Sequence, residues 1–110
     1  MLINRSGAYM AKNSSEMLFG AVSNAGRFVI LERLLASPMT VSELMKATKS
    51  QQTLVSHNLK CLLDCMIVRQ KKEGKFRRYY IDAKARPIVA GMVRYMHRYD
   101  GYLEKCKKER

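Results

Sequence analysis

The feature that most constrains this chain is the way its hydrophobic period changes along the sequence. From Ala25 to Asp64 apolar side chains recur at the three- and four-residue spacing of helices. From Ile67 to Ile81 the run turns β-prone, and after Asp82 the helical spacing returns. A chain in this order folds as α+β but mostly helical, with short helices, one two-stranded β-hairpin and a long closing helix. No repeat or Pro/Gly-rich linker interrupts it, and its two prolines fall at element boundaries, so 110 residues read as one domain.

The helices can be placed from their stripes and stops. Ala25 to Ala36 carries Phe28, Leu31, Leu34 and Leu35 on one face and ends at Ser37, because the residue before Pro38 is pushed out of helical geometry. Thr40 with Glu43 three places on forms a capping box for a short helix that turns Val41, Leu44 and Met45 inward. Thr48-Lys49-Ser50 is a polar turn, and Gln51 to Asp64 is a second short helix with Val55, Leu59, Leu62 and Leu63 facing the core. Two short helices joined by a tight turn are a helix-turn-helix. Ile67 to Gln70 and Arg77 to Ile81 then flank Glu73-Gly74-Lys75 as a hairpin.

Two elements frame this core. Tyr9 to Val22 has a weaker helical pattern, with Met10, Met17, Leu18, Ala21 and Val22. Lys84 to Lys105 repeats Val89, Met92, Val93, Met96, Tyr99 and Leu103 along a face too long for the rest of the domain to cover, so a second copy is the expected partner. The parse is an arm and helix over 1–22, the helical core over 25–65, the hairpin over 66–82, a dimerisation helix over 83–105 and a basic tail over 106–110.

Charge points to the partner. Twenty-one Lys and Arg against nine Asp and Glu give a formal charge of +12, which favours a polyanionic partner such as nucleic acid, double-stranded DNA above all, or an anionic membrane. Six of those cations, Arg69, Lys71, Lys72, Lys75, Arg77 and Arg78, meet a single acid, Glu73, within the hairpin. Flexible cations on a ribbon bind phosphate by counterion release, with steep salt dependence and little reading of sequence.

At 100° per residue, Thr53, Ser56, His57, Lys60 and Asp64 cluster opposite the core stripe of the second short helix. Such a face fits a major groove, where hydroxyl and imidazole groups bond base edges or phosphates and Lys60 meets a phosphate. Gln51 and Gln52 at the helix start can pair with adenine.

Other classes find little support. There is no Gly-rich phosphate loop, no favoured Ser-His-Asp spacing and only two histidines, so neither an enzyme nor a small-molecule substrate is expected. The N-terminus lacks the order of a signal peptide and no apolar run nears the roughly 20 residues of a membrane span, so the expected compartment is the cytoplasm, with no membrane partner. The rival from another class is a small basic nucleoprotein that coats DNA without sequence preference.

The stretches 18–27, Thr40 to Leu44, Val55 to Lys60, and Glu73-Gly74-Lys75 with Tyr79-Tyr80 together resemble the ArsR/SmtB family of dimeric winged-helix repressors. The resemblance implies a winged helix-turn-helix whose wing is the hairpin, with N- and C-terminal helices for dimerisation. Met66 stands where the family usually has a glycine after the recognition helix, a costly exchange if that position is left-handed.

Three cysteines leave an open choice. Cys61 and Cys65 are four apart, so their Cβ atoms are about 5–6 Å apart on one helix flank with Leu54 and Asn58. Cys106 lies just beyond the expected end of the long helix. The spacing of the three is similar to that of the family's mycobacterial cadmium/lead sensor. By that resemblance all three would be thiolate ligands of a soft ion, Cd(II), Pb(II), As(III) or Zn(II), whose binding releases DNA. Packing of thiols as small hydrophobes without any cofactor, and oxidation of low-pKa thiolates amid this much positive charge, are the alternatives. The family's Cys-x-Cys site in the first helix of the helix-turn-helix is absent, with Val41 to Met45 in its place. His97 and Asp100 have the spacing of half a zinc site, but Lys84 and Arg86 stand where the other half would be, so His97 reads as a surface or interface residue.

Overall fold

The computed structural model describes the backbone from residue 15 to 108 and the side chains from 19 to 106. The expected helical stretch from Tyr9, the side chains of Met17 and Leu18, and the end of the tail lie outside the described residues. The order is α1 (Ser15–Ser23), α2 (Ala25–Ala36), α3 (Val41–Thr48), α4 (Gln52–Asp64), β1 (Val68–Glu73), β2 (Phe76–Ile81) and α5 (Arg86–Lys108). It is the mostly helical winged helix-turn-helix expected from the sequence.

The caps explain the boundaries. Asn24 accepts from the Arg27 amide to start α2, and Thr40 and Glu43 close the capping box of α3 in both directions. Arg27 then reaches back, donating from Nε to the Ala21 carbonyl at 2.7 Å and from Nη2 to the Gly20 carbonyl at 2.8 Å, which satisfies two of the last four carbonyls of α1. At the far end of α2, Arg86 Nη2 donates to the Leu35 carbonyl at 2.6 Å and fastens the start of α5 there.

The core joins Ile30, Leu31 and Leu34 of α2 to Leu44 of α3, Val55, Leu59 and Leu62 of α4, and Ile67, Val68, Ile81 and Val89. Phe28 of the expected α2 stripe is only half-buried, and Ile30 takes the central position instead. Asn58, expected on a neutral flank of α4, is 3% exposed. It lies over the start of α2, where a Cβ at Gly26 would come within 2.9 Å of its Nδ2. Glycine at position 26 therefore lets the recognition helix approach α2 closely.

The hairpin strands extend further toward the turn than expected, pairing from Val68 with Ile81 to Glu73 with Phe76. Two residues close it, with Gly74 first at φ 59, as a type II′ turn requires. Met39, just before α3, pairs with Tyr79 through two backbone hydrogen bonds of 3.0 and 2.7 Å, so β2 is stitched to the entry of the helix-turn-helix.

The long helix starts two residues later than expected and runs three residues further. Asp82 accepts from the amides of Lys84 and Ala85 and holds residues 82–85 as a turn before the helix. Cys106, expected beyond the helix, lies within it.

Candidate nucleic-acid interface

The outer face of α4 is built by the same wheel that builds the core. With Val55, Leu59 and Leu62 buried, Gln51, Gln52, Thr53, Ser56, His57, Lys60 and Asp64 are all exposed. Gln51 occupies the N-cap position but makes no side-chain cap bond. Its amide side chain is therefore not tied to the first turn of its own helix. Leu54, expected on the cysteine flank of the helix, is 51% exposed beside this face. An exposed aliphatic side chain there can meet a thymine methyl group, and no period pattern would have flagged it.

The wing stands next to α4. Thr40 and Ser42 at the start of α3, Gln52 at the start of α4, and Lys75 and Arg77 of the wing line one groove of about 370 Å³. Lys71, Lys72, Lys75 and Arg77 are exposed and enter no ion pair among the described residues.

The other two wing arginines are differently engaged. Arg69 Nε donates to Asp82 Oδ1 at 2.6 Å, and this bond, with the amides of Ala85 and Lys84, holds the Asp82 carboxyl below the usual carboxylate range. Arg78 Nε donates to Glu73 Oε2 at 2.6 Å, and its Nη1 donates to Glu43 Oε1 at 3.1 Å and to the Pro38 carbonyl at 3.3 Å. Glu43 is also held low, first by the Thr40 amide and hydroxyl and then by Arg78.

The cysteines of α4 are half-buried on the flank beside His57, whose Nε2 is 3.8 Å from Cys61 Sγ. The expectation of low-pKa thiolates fails at Cys65. Burial pushes this thiol up, the neighbouring Cys61 and Asp64 add to the shift, and Arg27 only partly opposes it. Cys106 is also half-buried. Among the described residues no three His, Cys, Asp or Glu side chains converge as a metal site, so one chain offers the Cys61/Cys65 pair without a completed set. His97 Nε2 meets Glu32 Oε2 at 3.0 Å on the exposed side of α2 and α5, in keeping with a surface or interface role.

Residues 24–70, from the cap of α2 to the first half of the wing, match the family model described as bacterial regulatory protein, arsR family. Over that stretch the chain is similar to the ArsR family. No curated protein matches the sequence. Among solved structures, reduced HlyU from Vibrio cholerae is 26% identical with a TM-score of 0.68, covering 78% of this chain and 94% of its own. The homodimeric winged helix-turn-helix DNA-binding domain Mb0332 from Mycobacterium bovis, a possible ArsR-family regulator, is 25% identical with a TM-score of 0.73, covering 87% of each chain. NolR from Sinorhizobium fredii shares the fold at 20% identity and a TM-score of 0.68, covering 74% of this chain and 82% of its own. Among the described residues no helix is long and apolar enough to cross a membrane.

Proposed function

We propose that this chain is a regulator of the ArsR family, a homodimeric, sequence-specific repressor that sets two α4 helices in successive major grooves and two wings on flanking phosphates. The observation that carries this reading is the exposed outer face of α4, whose first residue Gln52 shares a groove with Lys75 and Arg77 of the wing, where four cations enter no ion pair among the described residues. Gln51 and Gln52 reach adenine edges, Thr53, Ser56 and His57 reach base edges or phosphates, and Lys60 meets a phosphate. Lys71, Lys72, Lys75 and Arg77 supply affinity without reading sequence.

The outer stripe of α5 supports the homodimer. Ile88, Met92, Tyr95, Tyr99, Tyr102 and Cys106 alternate at spacings of four and three, the pattern of a helix seam, and Tyr95 and Tyr102 are 64% and 62% exposed. The stripe continues into an apolar groove of about 800 Å³ between α2 and α5, lined by Phe28, Pro87, Ile88, Met92 and Tyr95. A two-fold partner would cover both and would present two recognition helices to an inverted repeat. The solved relative Mb0332 is itself homodimeric.

Regulation by a soft metal is the finer part of the reading. Cys61 and Cys65 are neighbouring thiols on the recognition helix, and Cys106, on the dimer seam, would come from the second protomer to complete a three-sulfur set. With Cys65 held protonated by burial, metal must displace its proton, so affinity for Cd(II) rises with pH.

The test is selection of bound sequences from a randomised duplex pool, with and without Cd(II), under reducing conditions. An inverted repeat with half-sites about one helical turn apart is the expected product, and Cd(II) should abolish its enrichment. Enrichment indifferent to Cd(II) would leave a regulator whose cysteines pack. No enriched sequence would favour the nucleoprotein.

A further inference from the structure

Arg78 belongs by position to the basic wing, yet its guanidinium is occupied by groups from three separate segments. It spans from Glu73 on the facing strand to Glu43 in the first turn of α3 and to the Pro38 carbonyl before it. Strand alternation puts Arg78 and its cross-strand neighbour Lys71 on one face of the wing and Arg77 on the other. Phosphate binding by Arg78 would require breaking two charge-assisted bonds that Arg77 and Lys72 do not make.

We propose that Arg78 is a positioning residue for DNA binding, which locks the wing to the entry of the helix-turn-helix and so sets the wing's angle to α4, and is not a phosphate ligand. The proposal rests on the reading of α4 and the wing as the DNA surface. Two features beside Arg78 share the load. The Met39–Tyr79 backbone pair joins the same two segments, and Glu43 belongs at once to the Arg78 cluster and to the α3 capping box. A single exposed ion pair contributes little, but one guanidinium held by two carboxylates and a carbonyl restrains direction as well as distance.

The consequence separates Arg78 from its neighbours. An unlocked wing must be ordered when DNA binds, which weakens affinity at every salt concentration and leaves the number of phosphate contacts unchanged. Glu43 and Glu73 become positive contributors to DNA binding, although they are acids beside a polyanion.

The test is an anisotropy titration of the full-length protein on its selected duplex across a range of salt concentrations. Arg78→Gln is expected to lose roughly tenfold in affinity with the salt slope of the wild type. Lys72→Ala and Arg77→Ala should each flatten the slope by about 2, one phosphate in each protomer of a dimer. Glu43→Gln with Glu73→Gln keeps a side chain able to form the capping box, and should weaken binding even though it removes negative charge. Arg78→Lys, which can hold one acid but not both, should recover part of the loss. If Arg78→Gln flattens the slope as Lys72→Ala does, or the double glutamine variant binds DNA more tightly, the proposal is overturned. Equal affinity and slope for Arg78→Gln and wild type would overturn it too. If Lys72→Ala and Arg77→Ala leave the slope intact while Arg78→Gln still loses affinity, the proposal stands and the phosphate contacts assigned to the wing fail.

Discussion

Tyr95→Ala should separate the protomers, because Tyr95 lies near the middle of the α5 stripe with 64% of its surface open in the single chain. A buried aromatic covers about 150–250 Å², so about 130 Å² of this side chain is available to a partner. At about 25 cal/mol per Å² that is worth about 3 kcal/mol at full burial. A two-fold dimer holds the residue twice, so the upper limit is about 6 kcal/mol, or about four decades in the dimer dissociation constant at 1.4 kcal/mol per decade. Incomplete burial and some relaxation bring the expected loss to two to four decades. Sedimentation equilibrium over a range of protein concentrations reads the constant directly, and circular dichroism checks that the monomer keeps its helices. A dissociation constant within a fewfold of wild type would mean that the seam on α5 is not the interface.

Met66 has φ 61 and is 67% exposed, so a side chain sits in left-handed backbone with little burial in return. Met66→Gly should raise the melting temperature by a few degrees, about 0.5–1 kcal/mol, once the extra freedom of glycine in the unfolded chain is counted. Gly26→Ala should lower it by about 1 kcal/mol or more despite alanine's better helix propensity, since the new Cβ would press on buried Asn58; an unchanged melting temperature would show that Asn58 yields freely. Glu43 and Asp82 have depressed pKa values, so their contribution to stability is complete above the ordinary carboxylate pKa and is lost as pH falls through the folded values. Denaturant midpoints should therefore drop with pH below about 4, and Glu43→Gln with Asp82→Asn should flatten that drop.

Most of the fold could be read from the sequence because its signals are local. The Thr40/Glu43 capping box, the break at Ser37-Pro38, the Leu59 and Leu62 stripe and the turn at Gly74 each depend on residues within one turn or one hairpin. At position 66, where the exchange of glycine for methionine was costly only if the backbone is left-handed, the backbone is left-handed. What escaped depends on contacts between distant segments. The burial of Asn58 is decided by how close α2 comes at Gly26, and the Arg78 cluster by the meeting of residues 38, 43, 73 and 78. In sequence Arg78 is one of six similar cations, and nothing local distinguishes it from Arg77. The pKa of Cys65 was misjudged for a related reason, because net charge says nothing about which sulfur is desolvated.

The central claim is that the outer face of α4 reads DNA, and binding by face-directed variants tests it most directly. His57→Ala, Ser56→Ala and Lys60→Ala would be titrated against the selected inverted repeat, beside Arg94→Ala on exposed α5 as a cation removed from that face. The expected result is a loss of about tenfold or more for the α4 variants with unchanged melting temperatures, each lost base or phosphate contact being worth about 1–3 kcal/mol, and near wild-type affinity for Arg94→Ala. Wild-type affinity in all three α4 variants, or an equal loss in Arg94→Ala, would contradict it and move the DNA surface elsewhere on the molecule.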